Sequence, residues 1–248
     1  MKSHKRQLAV VLIMMLLVSS LTACSTKDDN KTDTEVTPTT VAGNDTTPSS
    51  PSTPSPEPTK APEYFVPEDF DPATVEGKKL IAITVDDGPD GAGTDGFMEL
   101  ATKEDIALTF FVVGKFIENN PDQLEEILKA GCEIGNHSKT HDYFTNMTAD
   151  EIKSEIDDTN ELIKKYAPGA EVNFGRAPYF AYNDTVYETV GYPLVDAALQ
   201  ESGNNYEATL DILLNAKDGD IVLMHTWNTA SLQALTEAAP VLKENGFA

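Results

Sequence analysis

From about Lys78 onward the chain alternates between strand-type and helix-type segments, and this alternation limits the fold more than any other feature. KKLIAITV reads as a strand and TDGFMELATKE as a helix. ALTFFVVG is a second strand, followed by PDQLEEILKAG, a helix opened by Pro and closed by Gly. CEIGNHS is a short strand. TADEIKSEIDDTNELIKKY is strongly amphipathic, with Thr148 as N-cap and Glu151 placed to close a capping box. EVNFGRAPYF and PLVDAAL read as strands around a short helix, NDTVYETVG. YEATLDILLNAK is a helix, DIVLMHT a strand and SLQALTEAAPVLKENG a last helix. Such repetition means a parallel sheet, closed as a barrel or open and doubly wound. No G-x-G-x-x-G follows the first strand, so a dinucleotide site has no support. The expected fold is α/β, a distorted (β/α) barrel of about seven strands. It is expected to be incomplete or open at the C-terminal seam, because the sequence stops at GFA where another strand would begin.

Two further zones precede this domain, which is assigned to residues 78–248. Lys2, Lys5 and Arg6 form a basic head before the apolar run Leu8 to Val18, which is short for a permanent membrane span and fits a secretory signal. The alternative is an N-terminal anchor helix. The tetrapeptide Leu21-Thr22-Ala23-Cys24 resembles the bacterial lipobox, in which the Cys is lipidated and becomes the new N-terminus. Residues 1–24 are therefore read as a lipoprotein signal peptide with Cys24 as the lipidation site. The protein is expected on the extracellular face of a bacterial membrane, held by lipid. Residues 25–77, rich in Ser, Thr and Pro, read as a disordered linker. Cys132 then has no intramolecular disulfide partner and reads as a small buried apolar residue. The net charge of −23 argues against nucleic acid, whose phosphates would be repelled, and leaves neutral polysaccharides, small molecules and metal cations open. A monomer is expected.

Polar residues gather at the C-terminal ends of the strands: Asp86 and Asp87, His137 and His141, Arg176, Asp196, and His225. Active sites of strand–helix barrels lie at this end. Apart from His4 in the signal, every His of the chain is there. His137 and His141, four apart, can face one point on a helix or a tight loop, and with Asp86 or Asp87 they make a two-His-one-carboxylate metal site. The second acid can take a proton from a water that the metal has acidified, held in place by Arg176. The bland alternatives are a solvated His pair, a turn made by Asp-Asp-Gly-Pro, and a surface ion pair.

This constellation resembles the polysaccharide deacetylases, carbohydrate esterase family four, over Lys78 to the end. TVDDGP, Thr84 to Pro89, is the first motif, with Val85 where the family usually has Phe. The resemblance implies Asp86 as catalytic base and Asp87 as metal ligand, with Gly88 and Pro89 breaking the strand so that both face the pocket. NHSKTH implies His137 and His141 as the other ligands. RAPYFAYN implies that Arg176 holds the base, that Pro178 lines the pocket and that the Tyr179 backbone N–H serves the oxyanion hole. LMH implies Leu223 in the acetate pocket and His225 as general acid. The fourth motif departs: Leu199 and Gln200 stand where an Asp-Trp pair would orient the catalytic His. Asp196 matches an earlier acid of that pattern, and Trp227 is either a replacement pocket wall or ordinary packing.

The implied cofactor is one divalent metal, Zn²⁺ by ligand type, with Co²⁺ or Ni²⁺ able to serve. The implied reaction is hydrolysis of an acetyl group: Asp86 takes a proton from the attacking water, the Tyr179 N–H steadies the oxyanion, and His225 protonates the leaving group. One oxyanion donor is worth about 3–4 kcal/mol in other systems. The expected substrate is an acetylated polysaccharide, first an N-acetyl amide of peptidoglycan or chitin-type chains and second an O-acetyl ester of xylan. A surface carbohydrate-binding lipoprotein of impaired activity is the third expectation.

Overall fold

The computed structural model describes residues 75–248. Cys24, the signal and nearly all of the linker lie outside the described residues. The elements run β1 Ile81–Gly88, α1 Ala92–Glu104, β2 Thr109–Val112, α2 Gly114–Ile117, α3 Asp122–Lys129, β3 Glu133–Asn136, α4 Ala149–Tyr166, α5 Asp184–Val190, β4 Leu199–Gln200, α6 Tyr206–Leu214, β5 Asp220–His225 and α7 Thr229–Glu244. Short 3₁₀ turns sit at Phe144–Asn146 and Pro178–Phe180. The Thr148–Glu151 capping box starts α4, and both of its reciprocal bonds are present.

The sheet order is β3-β2-β1-β5-β4, with every pair parallel. Side chains alternate across each strand. Val85, Phe110, Ile134, Val222 and Met224 pack outward into the helix-covered core. Leu80, Ala82, Phe111, Phe174, Val195 and Ile221 fill the inside. Both faces are buried, which is why these strands read as nearly unbroken apolar runs. Gly135 on β3 makes room inside, since a Cβ there would lie 2.7 Å from the Phe111 ring.

The architecture is the expected parallel α/β type, but among the described residues regular pairing covers five strands rather than about seven. On the remaining side, isolated parallel bridges join Asn136 to Gly175 and Gly175 to Leu194. The segment from Leu194 then reaches β5, where Ala198 N–H donates to Ile221 O and Glu201 N–H to Leu223 O, both at 3.0 Å. Parallel pairing thus runs around the inside, and its ragged part is this side. The C-terminal seam, expected to be open, is well paired where β1 meets β5, and Phe247 adds a parallel bridge to Lys79. The stretches EVNFGRAPYF and PLVDAAL were expected as full strands. Pro178 and Pro193 bring no N–H to a ladder, and Gly175 lies so close to Asn136 O that a Cβ would meet it at 2.9 Å. The chain there pairs at single points and turns away.

Candidate active site

Asp86 and Asp87 are consecutive, so a regular strand would send them to opposite faces. The pairing of β1 with β2 slips between Asp86 and Gly88, leaving Asp87 as a bulge with φ 69°. Asp86 keeps the inward direction of Ala82 and Thr84, and the bulge brings Asp87 to the same side. This corrects the expectation that Gly88 and Pro89 break the strand: Gly88 is still strand, and the twist that brings both acids to one side is made at Asp87 itself.

His137 and His141 lie on the loop after β3, not on a helix. Ser138 N–H donates to Asn136 Oδ1 at 2.8 Å and His141 N–H to Ser138 Oγ at 2.9 Å. From α4, Glu155 Oε2 accepts the N–H groups of Lys139 and Thr140, both at 2.8 Å. Ser138, His141, Tyr179 and Phe180 share with Asp87 a left-handed backbone. Among the described residues the only other non-Gly case is Asp105, the C-cap of α1. Strained conformations concentrated at one spot mark functional sites.

One ligand atom each from Asp87, His137 and His141 lies within 4.8 Å of the others. His137 Nδ1 is 2.7 Å from Arg176 O, which can only accept, so Nδ1 carries the proton and Nε2 presents a lone pair. Burial also keeps the His137 ring neutral, outweighing the nearby carboxylates. Asp87 Oδ2 accepts the Trp227 Nε1–H at 3.0 Å. Asp87 Oδ1 is buried without a hydrogen-bond partner, 3.1 Å from His141 Nε2 and 3.8 Å from His137 Nε2 but not aligned with an N–H. Burial opposes the Asp87 charge, yet His141, Trp227 and the imidazoles hold its carboxyl well below the usual range. An orphaned carboxylate oxygen facing two Nε2 atoms is a donor set that fits a divalent cation.

Arg176 is among the largest fully buried side chains. Its Nη1 donates to Asp86 Oδ1 at 2.6 Å and to Thr84 Oγ1 at 2.9 Å, and its Nε to Val195 O at 2.9 Å. The Phe111 ring lies 4.2 Å below the guanidinium. This is a buried, fixed partner for Asp86, not a surface ion pair. Asp86 Oδ2 stays 3.4 Å from His137 Nε2.

His225 pairs with Asp86 across β5 and β1, with Leu223 facing inward two residues below it. The missing Asp-Trp pair has a substitute that the sequence did not reveal. Glu201 Oε1 lies 2.9 Å from His225 Nδ1, and Glu201 Oε2 accepts the His225 N–H at 3.2 Å and the Ser231 hydroxyl. Burial lowers the His225 pKa, but Glu201, Asp86 and Asp87 together raise it above the ordinary value. Glu201 is itself desolvated, and bonds from His225, Asn228 and Ser231 nevertheless lower its pKa. Asp196 is exposed and acts on Tyr182 and Tyr187 instead. Trp227 is not core packing. It is 58% exposed and stacks on His225 with centroids 5.0 Å apart. Pro178 is buried in the turn that carries Tyr179, whose hydroxyl is 3.2 Å from His141 Nδ1. Cys132 is buried and free, its thiol pushed up to about 12 by burial.

The sequence model of the polysaccharide deacetylase family matches residues 74–195. A bifunctional xylanase/deacetylase of Pseudobutyrivibrio xylanivorans is 34% identical over 179 residues, 69% of this chain and 29% of that protein. A peptidoglycan-N-acetylglucosamine deacetylase of Bacillus cereus is 32% identical over 182 residues, 68% of this chain and 84% of that one. Among solved structures, the peptidoglycan deacetylase PdaC from Bacillus subtilis aligns with TM-score 0.66 at 30% identity, covering 69% of this chain and 86% of that chain. This chain therefore spans less than a third of the first relative and most of the second.

Proposed function

The chain belongs to the polysaccharide deacetylase family, and we propose that it is a metal-dependent hydrolase that removes N-acetyl groups from a cell-wall polysaccharide of the peptidoglycan or chitin type. The observation that carries this reading is the bulge at Asp87, which joins one acid to two imidazoles and leaves its neighbour on Arg176. Asp87, His137 and His141 would hold the metal. A divalent ion such as Zn²⁺, or Co²⁺ or Ni²⁺ in its place, would supply Lewis-acid polarisation of the acetyl carbonyl and acidify a water.

The remaining steps fall to the chain's own groups. Asp86, with Oδ1 fixed by Arg176, accepts the proton of the attacking water at Oδ2. The Tyr179 N–H donates to the carbonyl oxygen as charge develops there. With Glu201 on Nδ1, His225 carries its transferable proton on Nε2 and gives it to the leaving nitrogen. Leu223, Pro178 and Trp227 border the acetyl pocket. Removal of O-acetyl esters from xylan is the second reading, favoured by the similarity to a xylanase/deacetylase. Glu201 counts against the third, an impaired binding protein, because it gives the acid His an orienting carboxylate again. The sequence of residues 1–24 supports a lipid anchor at Cys24 on the outer membrane face, with the wall in reach.

Acetate release from peptidoglycan, chitin oligomers and acetylated xylan by the metal-loaded protein tests the reading. Release from the amide substrates is expected; release from xylan alone would sink the first choice. Asp86→Asn should lose at least about a hundredfold in kcat while keeping its metal. His141→Ala should lose metal affinity, measured by elemental analysis after dialysis, and unchanged metal content would overturn the ligand set.

A further inference from the structure

Exposed aromatic rings scattered singly are ordinary, but rings clustered into one patch mark a contact surface. Among the described residues, the large apolar side chains that are more than a third exposed include Tyr143 at 46%, Tyr179 at 54% and Trp227 at 58%. These three border the metal-ligand cluster, and two of them form one unit. The Tyr143 and Tyr179 rings are stacked, with centroids 4.0 Å apart and planes 13° from parallel. Tyr179 in turn meets the His141 ring edge-on at 4.8 Å and approaches its Nδ1 through the hydroxyl. Trp227 stands at another edge, through Asp87 and His225.

The tyrosine pair is held in place. Phe144, next to Tyr143, is fully buried and packs with Ile152 and Ile156 of α4, so the backbone under Tyr143 is anchored. The 3₁₀ turn closes with Asn146 N–H on Tyr143 O at 3.0 Å. Tyr179 lies in a left-handed turn directly after buried Pro178 and three residues after buried Arg176. A rigid aromatic surface beside a hydrolytic centre loses little conformational entropy on binding. Its natural complement is a pyranose ring, which has apolar C–H faces and a rim of hydroxyls; the tyrosine hydroxyls and the exposed Asp142 can meet that rim.

We infer that Tyr143, stacked on Tyr179, forms a sugar-binding subsite that holds the uncharged pyranose unit next to the one whose acetyl group is cleaved. The identity of the cleaved bond rests on the proposed function; the stacking of a sugar does not. Binding should therefore strengthen as the chain grows from one sugar unit to several, and Tyr143 should carry that gain.

The test uses two readouts on β-1,4-linked N-acetylglucosamine chains of increasing length. In the turnover-deficient Asp86→Asn protein, affinity by calorimetry should rise with chain length. Adding Tyr143→Ala should weaken binding of the longer chains by about tenfold. Adding Tyr143→Phe, which keeps the ring, should restore it. In the active protein the Tyr143→Ala loss should fall on KM for long chains rather than on kcat. A length dependence unchanged in Tyr143→Ala, or a loss as large in Tyr143→Phe, would overturn the subsite. Tyr143-dependent binding with no acetate release from the active protein would uphold the subsite and defeat the proposed reaction. Acetate release with no Tyr143 effect would do the reverse.

Discussion

Glu201 and His225 show how much one carboxylate sets at this site. The Glu201 side chain is almost covered, bonded to the His225 ring and backbone, and fixed by the Ser231 hydroxyl from the first turn of α7. Its charge favours the imidazolium and opposes the burial that would strip the ring of its proton. As an acid, His225 works only while protonated, so activity falls as pH rises through its pKa. A raised pKa carries that alkaline limb upward. Glu201→Gln should therefore move the alkaline limb of kcat/KM to lower pH. A pH–rate profile of the metal-loaded variant checks this, and an unmoved limb would mean another group donates the proton. Asp86, Asp87, His137, His141, Arg176 and His225 were legible in the sequence because their types and spacings are distinctive. Glu201 was not, although it directly follows Gln200. Its reach to His225 depends on which residues of a two-residue strand pair with β5, and no spacing rule supplies that register.

The same division holds for the elements. Long periodic segments such as α4, capped at Thr148, were readable from apolar spacing and the cap together. The strand around Gly175 was not, because Pro and Gly allow single bridges while an apolar texture suggests a ladder. Nor was the Asp87 bulge, since a one-residue slip leaves no mark in composition. β3 carries a further case. Glu133 opens it, buried, with Oε1 unpaired and Thr109 Oγ1 at 3.5 Å from Oε2. Burial, only partly offset by Thr109, raises its carboxyl from 4.5 to about 7. Between those values the unfolded chain loses its proton while the folded one keeps it. Stability present below pH 4.5 is thus lost as pH rises to about 7, and it stays lost above. Glu133→Gln should remove this slope and, at about pH 8, exceed the wild type by on the order of 2 kcal/mol. Denaturant unfolding at about pH 5 and about pH 8 measures it, and equal losses at both would refute the account.

For the whole molecule, the catalytic reading and the anchoring reading meet in one geometric demand. A barrel whose site lies at the C-terminal ends of its strands would have to present that edge to the wall polymer proposed as substrate. A membrane lipid at Cys24, with residues 25–77 between it and the domain, would keep enzyme and wall in the same layer. The chain's net charge of −23 gives it no electrostatic hold of its own on an anionic membrane surface, so the proposed anchoring rests on the N-terminal modification alone. One acyl chain holds a protein only marginally, whereas a lipidated N-terminal Cys with several chains anchors firmly. Cys24→Ala should therefore move the protein from the membrane fraction to the medium. Acetate release from soluble oligomers should be unaltered per molecule, because Cys24 is far in sequence from every site residue. Deacetylation of the cell's own wall should drop with the local enzyme concentration. Fractionation by immunoblot, with assays on soluble oligomers and on isolated walls, separates these effects. A Cys24→Ala protein still in the membrane fraction would instead favour the apolar run Leu8 to Val18 as a retained anchor helix.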